Sequence, residues 1–226
     1  MPRIRCLLFD LHGTLAHVEK PIDEAKVSRL LVNHGYDVYP QAYHAAWHFV
    51  SMVDYPRHGY TTYEAFLRQV LKRCGHEIDG DTLKELGMMY RRVKWQLYSD
   101  APRALKLAKS AGYKTGVITT IARFLTETVL RPIVGEIDLH VDGFTYGCEK
   151  SNPRIYTKAM EDLDVRASET LMVGDELELD VVLPKRLGMS ALLLDRKRKY
   201  GASVTQPDGV VRDLVEAVNF ADSLRM

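Results

Sequence analysis

Short, almost fully apolar runs recur along the chain, separated by segments of helical length. The first run, Ile4-Arg5-Cys6-Leu7-Leu8-Phe9, stops abruptly at Asp10. A run of this kind is typical of a strand buried on both faces, as in the centre of a parallel sheet. Further strands are predicted at 114–118, 137–140, 170–173 and 191–194. Helices between strands indicate right-handed βαβ units, so we predict an α/β fold with a Rossmann-like, doubly wound parallel sheet.

The segment after the first strand has helical periodicity instead. From residue 27 onward, apolar residues recur every three or four positions, and capping-box patterns open at Thr61 and Thr82. The last of these predicted helices runs on to Leu97, and no strand pattern interrupts the segment. We therefore predict two domains. A Rossmann-like core comprises residues 1–16 and 99–226, and an α-helical cap, residues 17–98, is inserted after the first strand.

The composition excludes several classes of partner. The 226 residues include 31 Lys and Arg and 30 Asp and Glu, which gives a net charge of +1. This balance provides no positive field for nucleic acid or an anionic membrane, and we expect neither as a partner. A basic run at 196–199 is expected to be a solvated loop. The three cysteines lack metal-ligand spacing and predict reduced thiols in a cytoplasmic protein. The sequence leaves the oligomeric state open.

Polar residues beyond the predicted strands are the candidate site, because ligands of a doubly wound sheet bind outside the carboxyl ends of its strands. Asp10, Thr119 and Asp175 each come at or just after a strand end, and Lys150 follows the strand at 137–140 less closely. Two carboxylates with few other protein ligands suit Mg²⁺, which keeps several waters and a substrate phosphate. A carboxylate at a sharp turn, such as Asp10, can also attack phosphorus and form an aspartyl phosphate.

Four motifs in series strengthen this interpretation. In chain order they are Asp10-Leu11-His12-Gly13-Thr14-Leu15, Gly116-Val117-Ile118-Thr119, Lys150-Ser151-Asn152-Pro153-Arg154-Ile155-Tyr156 and Gly174-Asp175-Glu176-Leu177-Glu178-Leu179-Asp180. The series resembles the motifs of the haloacid dehalogenase-like hydrolase superfamily, in the group that carries an α-helical cap between the first and second motifs. One such motif alone is weak evidence, whereas four in the right order are specific.

The resemblance implies how the site would hold a cofactor. Asp10 would be both the nucleophile and a ligand of Mg²⁺. Asp175 and the backbone carbonyl of His12 would supply the remaining protein ligands. The implied substrate is a small phosphate ester or an activated phosphate, hydrolysed through an aspartyl phosphate on Asp10.

The resemblance also assigns the groups that would hold the phosphoryl oxygens. These are the hydroxyl of Thr119 and the ammonium of Lys150, and Asp180 would orient Lys150 or a metal-bound water. By residue type alone, Thr119, Lys150 and Asp180 have simpler interpretations. Thr120 is as eligible as Thr119, Lys150 could be a surface lysine, and Asp180 could cap the following helix.

His12 is where the sequence departs from the family pattern. Phosphatases of the family carry a second aspartate at this position, which acts as general acid and base. Histidine can also donate and accept a proton near neutral pH, so His12 is a candidate for both roles. A positive imidazolium beside Mg²⁺ is unfavourable. We therefore expect a weak acid, and a preference for phosphates whose leaving group departs without a proton.

Two alternatives remain open. Dehalogenases of this family also lack the second aspartate and cleave carbon–halogen bonds without a metal. They replace the Gly-Asp of the fourth motif and carry an arginine after a cap tryptophan. Here Gly174 and Asp175 are both present, and Trp47 is followed by His48, which favours the metal-dependent phosphatase. The other alternative is a binding or regulatory protein that keeps the fold with little catalysis.

The predicted cap contains weaker candidates for substrate or metal binding. Arg57 and His58 lie in its longest polar loop, 54–60, and could contact substrate, although an exposed loop explains them equally well. His44 and His48 lie one helical turn apart, as some metal ligands do. No carboxylate is near them in sequence, so an ordinary pair on the cap surface is the better interpretation.

Overall fold

A parallel sheet of six strands forms the centre of the core. The computed structural model describes residues 3–200 and 207–224. In chain order, the strands of these residues are β1 Cys6–Phe9, β2 Ala16–Val18, β3 Trp95–Leu97, β4 Lys114–Ile118, β5 Leu139–Val141, β6 Thr170–Gly174, β7 Ser190–Leu194 and β8 Gly209–Val211. The sheet has the order β5-β4-β1-β6-β7-β8, with every neighbouring pair parallel. The predicted α/β, Rossmann-like fold is confirmed.

Helices form the cap and cover both faces of the sheet. They are α1 Glu24–Asn33, α2 Pro40–Phe49, α3 Tyr55–His58, α4 Tyr63–Arg73, α5 Gly80–Arg91, α6 Ala101–Ser110, α7 Arg123–Leu130, α8 Arg154–Asp162, α9 Leu183–Arg186 and α10 Leu214–Ser223. Along β1, Leu7 and Phe9 pack with α6, α7 and α10, whereas Cys6 and Leu8 pack with α8 on the opposite face. Since both faces are filled by apolar side chains, a polar site has room only at the strand ends.

The cap is a bundle of α1, α2, α4 and α5 with an apolar cluster of its own. Leu31, Tyr43, Phe66 and Leu86, one from each helix, are all buried in it. Within the described residues, none of the helices of the cap or the core combines the length and apolar character needed to cross a bilayer.

The polar segment at 54–60 is helical over much of its length, contrary to the predicted loop. α2 continues through a π-helical turn, Val50–Asp54, directly into α3. Tyr55 and Pro56 are buried. Pro56 has no N–H to continue the helical ladder, and it directly follows the π-helical turn, where the regular hydrogen-bond pattern is already interrupted. Tertiary burial therefore stabilises a helix where the local composition indicates a loop.

An antiparallel ribbon of β2 and β3 joins the cap to the core, with Val18 opposite Trp95. The sequence predicts helix through to Leu97, but α5 ends at Arg91. A three-residue strand has too few positions to show a period, and its partner lies far away in sequence, so local patterning misses it. β8 is likewise a three-residue strand that the sequence does not predict, and it pairs with β7.

Candidate active site

The loop after β1 places Asp10 at the carboxyl end of a central strand. The chain turns back sharply there, and the amides of Leu15 and Ala16 both donate to the carbonyl oxygen of Leu11, at 3.0 and 2.8 Å. Gly13 has φ of +85°, a conformation that glycine adopts at no steric cost. The turn leaves the Asp10 side chain buried among the neighbouring strand ends.

Lys150 joins Asp10 to a second buried carboxylate. Its Nζ lies 2.5 Å from Oδ1 of Asp10 and 2.6 Å from Oδ1 of Asp180. Asp180 belongs to the π-helical turn Leu177–Val182 after β6, and it also accepts a hydrogen bond from the amide of Glu176 at 3.0 Å. All three charged side chains are buried. Three segments that are distant in sequence are thereby held together at one end of the sheet.

Burial and charge together determine the protonation of this cluster. Burial alone would lower the pKa of Lys150, but the carboxylates of Asp10 and Asp180 outweigh it and hold that pKa above its ordinary value. Lys150 is therefore a stable cation and a hydrogen-bond donor. Burial raises the pKa of Asp10 although Lys150 opposes the shift, and the nearby charge of Asp175 raises it further.

Asp175, directly after β6, brings a third carboxylate against the loop that follows β1. The hydroxyl of Thr14 donates to Oδ1 of Asp175 at 3.4 Å, and the hydroxyl of Tyr200 donates to its backbone carbonyl at 3.2 Å. A Cβ at Gly13 would lie 2.3 Å from Oδ2 of Asp175, so the close approach requires glycine. Burial, and then repulsion from Asp180, raise the pKa of Asp175.

The three carboxylates form a site whose donors suit a divalent cation. Asp10, Asp175 and Asp180 each offer an oxygen, and these oxygens lie within 4.8 Å of one another; no other such group of three occurs in the part of the chain that the structure describes. One ammonium leaves excess negative charge, and Mg²⁺ prefers oxygen ligands of this kind. Because Asp180 is paired with Lys150, Asp10 and Asp175 are the better placed ligands.

Thr119 lies at the end of β4, the strand beside β1, and is buried. Its Oγ1 accepts a hydrogen bond from the amide of Ile121 at 3.1 Å. That bond does not use the hydroxyl hydrogen, which is left to donate to a ligand.

His12 lines the cleft that leads to these groups. The cleft has a volume of about 450 Å³, and Gly13 and Asp175 are also part of its wall. The His12 ring is exposed and packs edge-on against Trp95, with ring centres 5.6 Å apart. A general acid at this position would reach a ligand from the cap side of the cleft.

Comparison with known proteins identifies the family. The model of the haloacid dehalogenase-like hydrolases matches residues 4–188, which include all four motifs. The chain belongs to this family. It is a member of the haloacid dehalogenase-like (HAD-like) hydrolases, as the four motifs predict.

Its relatives include phosphatases of similar size. The chain is 27% identical to the glyceraldehyde 3-phosphate phosphatase of Pyrococcus furiosus over 213 residues. This alignment covers 89% of this chain and 83% of the relative. It is 28% identical to the phosphoglycolate phosphatase of Aquifex aeolicus over 192 residues, and this alignment covers 84% of each protein. The crystal structure of a HAD phosphatase from Thermococcus onnurineus has a TM-score of 0.70 at 21% identity and covers 99% of this chain and 100% of that one. This last likeness shows a shared fold.

In this HAD-like hydrolase, Arg57 and His58 are the cap residues predicted to contact substrate. Their side chains hydrogen-bond to backbone carbonyls of their own helical segment. Nη1 of Arg57 donates to the carbonyl of Val53 at 2.8 Å, and Nδ1 of His58 lies 2.9 Å from the carbonyl oxygen of Asp54. Arg57 lines a separate cleft together with residues on both sides of Lys150. A contact of either residue with substrate stays a prediction.

One buried contact between cap and core was missed by the sequence analysis. The hydroxyl of Tyr55 donates to Oδ2 of Asp142 at 2.6 Å and accepts from the amide of Arg123 at 3.1 Å. Burial alone would raise the pKa of Asp142, but hydrogen bonds from Tyr55 and Thr145 outweigh it and lower that pKa. Asp142 directly follows β5. The search for polar residues at strand ends would have found it if the predicted strand had not ended at residue 140.

Arg196 corrects the interpretation of the basic run as a solvated loop. Its Nη2 donates to the carbonyl of Thr14 at 2.9 Å and pairs with Oδ2 of Asp100 at 3.0 Å. Its guanidinium carbon lies 3.9 Å from the ring centre of Tyr98. Only residues 197–199 of the run are exposed. Arg196 thus holds the loop after β1 against the segments after β7 and β3. A bond to a backbone carbonyl leaves no pattern in the sequence.

We predict that Gly13→Ala displaces Asp175 and lowers hydrolase activity by about 100-fold, the cost typical of a misplacement near 1 Å at a reacting centre. A Cβ at this position also strains the left-handed backbone, which should lower the free energy of unfolding by about 1 kcal/mol. Steady-state kinetics and urea unfolding measure the two effects separately.

Gly35→Ala is the matched control. Gly35 follows α1 in the cap, has φ of +86°, and has nothing within 4 Å of the position of its Cβ. It should lose the same free energy of unfolding and keep its activity. Equal activity in the two variants would contradict the role given to the approach of Gly13 to Asp175.

Proposed function

We propose that this protein is a Mg²⁺-dependent phosphatase that hydrolyses a small phosphorylated molecule through an aspartyl phosphate on Asp10. The observation that carries the proposal is the buried carboxylate of Asp10, held by Lys150 with Asp175 alongside. The relatives named for glyceraldehyde 3-phosphate and phosphoglycolate support a small phosphate ester as substrate. The retained Asp175 favours phosphate chemistry over metal-independent dehalogenation.

The cofactor would be held by the carboxylates of Asp10 and Asp175 and the backbone carbonyl of His12. When bound, Mg²⁺ neutralises the negative charge of the carboxylates and of the phosphoryl group, which otherwise repel each other.

The reaction consists of two displacements at phosphorus. A carboxylate oxygen of Asp10 attacks, a new P–O bond forms, and the bond to the leaving oxygen breaks with its electron pair. The hydroxyl of Thr119 and the ammonium of Lys150 donate hydrogen bonds to the phosphoryl oxygens. Water then attacks phosphorus, which releases phosphate and restores Asp10. His12 would exchange protons with the leaving group and with this water.

The cleft, rather than the sheet, would select the substrate. Closure of the cap over the end of β1 would exclude water from that region, which would strengthen each hydrogen bond to the phosphoryl group. We expect the reaction to take place in the cytosol, where the unpaired thiols of Cys6, Cys74 and Cys148 stay reduced.

The metal is tested with Asp175→Asn. We expect wild type to hydrolyse p-nitrophenyl phosphate with Mg²⁺ but not with EDTA, and Mg²⁺ to raise its Tm because it binds the folded state. Asp175→Asn should lose both effects. Glu178→Gln is the control, since it removes an exposed carboxylate of the π-helical turn that follows Asp175 and should keep both.

Full activity in EDTA would contradict the metal-dependent mechanism. Turnover of 2-chloropropionate in EDTA, with none of the aryl phosphate, would establish the dehalogenase alternative instead. Inactivity toward both classes of substrate would favour a binding protein.

His12 is tested with esters that differ in their need for a proton. An alkyl oxide leaves poorly without one, whereas nitrophenolate needs none. We expect His12 to be a poorer general acid than the aspartate it replaces, so His12→Asp should raise turnover of alkyl phosphates much more than that of aryl phosphates. The measurement is kcat for both ester classes in wild type, His12→Asp and His12→Ala. Equal effects of His12→Asp on the two classes would refute this explanation of the substitution.

A further inference from the structure

A second cavity adjoins the catalytic cleft on the cap side. Its volume is about 290 Å³, and it lies between the cap helices, the ribbon and α7. Val18 lines both this cavity and the cleft that contains His12 and Asp175. Trp95 lines the cavity as well and packs against the His12 ring. We call this space the cap cavity. It lies where the part of a substrate beyond its phosphoryl group would extend.

Aromatic and aliphatic side chains form most of the wall of the cap cavity. The tyrosine and tryptophan rings that line it are those of Tyr43, Trp47, Tyr63, Tyr90 and Trp95. Trp47 and Trp95 are only half-buried, although both are large apolar side chains. Concave surface of this composition is typical of pockets that bind apolar rings.

The aromatic wall is also fixed in position. Trp47 stacks on Tyr90 with ring centres 4.7 Å apart and planes inclined by 8°, and it packs edge-on against Phe66 at 4.7 Å. The hydroxyls of Tyr43 and Tyr90 bond to each other at 2.7 Å in a buried contact. Because the two hydroxyls bond to each other and the rings pack together, the wall offers mainly apolar ring surface and needs little reorganisation to bind a ligand.

Within residues 3–200 and 207–224, the cap cavity offers no permanent cation to an anionic ligand, since its basic side chains are the imidazoles of His44 and His48. Among the described residues, no lysine or arginine lines it, and its carboxylate is that of Glu24. Oε1 of Glu24 lies 2.6 Å from Nδ1 of His44, whose ring packs against His48. These three side chains do not place their ligand atoms within 4.8 Å of one another, as the aspartate cluster does. The cavity is therefore suited to an uncharged ring and not to a metal or a second phosphate.

We propose that the cap cavity binds the leaving group of the substrate and that this group is a planar, apolar ring, so that the substrate class is the aryl phosphates. The inference rests on the proposed phosphatase function. It agrees with an independent feature of the chain, since an aryl oxide departs without a proton and His12 replaces the usual carboxylic acid. Cavity and sequence thus favour the same class of ester.

The experiment compares 2-naphthyl phosphate with phenyl phosphate. Their leaving groups have similar acidity, so a difference in kcat/KM reports binding of the second ring. We expect the naphthyl ester to be preferred about tenfold by wild type, the gain typical of burying one further ring. Acetyl phosphate, which is too small to reach the cap cavity, reports the phosphoryl chemistry alone.

Trp47→Ala should abolish the preference for the naphthyl ester and leave turnover of acetyl phosphate unchanged. Trp47→Phe should retain most of the preference for the naphthyl ester. Tyr39→Ala is the control, because Tyr39 precedes α2, is 67% exposed and lies outside the cavity. If Trp47→Ala fails to fold, Leu125→Glu introduces a charge into the cavity from the core side and should have the same effect.

Equal kcat/KM for the two aryl esters in wild type would overturn the inference, as would a preference that survives both Trp47→Ala and Leu125→Glu. If acetyl phosphate is not hydrolysed, the proposed function fails first. Calorimetric titration with 2-naphthol then tests the cavity by itself. Binding that is lost in Trp47→Ala supports the subsite, and no binding to wild type overturns it.

Discussion

The buried ammonium of Lys150 is the interaction on which the rest of the site depends. It lies between Asp10, which ends a central strand near the start of the chain, and Asp180, which follows β6 near the other end. Removing one partner of such a pair leaves an unpaired buried charge and costs about 3–5 kcal/mol. The same contact that fixes Asp10, the proposed nucleophile, therefore holds the loops after β1 and β6 in place, and it couples stability to the proposed function.

Two glycines make this arrangement sterically possible. A Cβ at Gly174 would lie 2.1 Å from Cγ of Asp180, and one at Gly13 would meet Asp175. The backbone thus approaches carboxylates that any larger residue would displace. Parallel strands bring these loops to one edge, and the cap, connected through the ribbon and the contact of Tyr55 with Asp142, covers that edge and adds the aromatic cavity.

Features with local physical causes could be predicted from the sequence. The unbroken apolar run before Asp10 and the Gly-Asp pair at Asp175 identify strand ends, and the order of four motifs indicates the family. What could not be predicted depends on partners distant in sequence. β3 exists because β2 pairs with it, and Arg196 is held by the carbonyl of Thr14. Neither partner leaves a pattern in its own neighbourhood.

The most direct test of the account is to identify the atom that carries the phosphoryl group during turnover. Wild-type protein is mixed with Mg²⁺ and p-nitrophenyl phosphate, quenched in acid during steady state, digested and analysed by mass spectrometry, with Asp10→Asn as the control. The account predicts one phosphoryl group on Asp10 in wild type and none in the variant. Turnover without a phosphoryl group on Asp10, or with one on another residue, would contradict it.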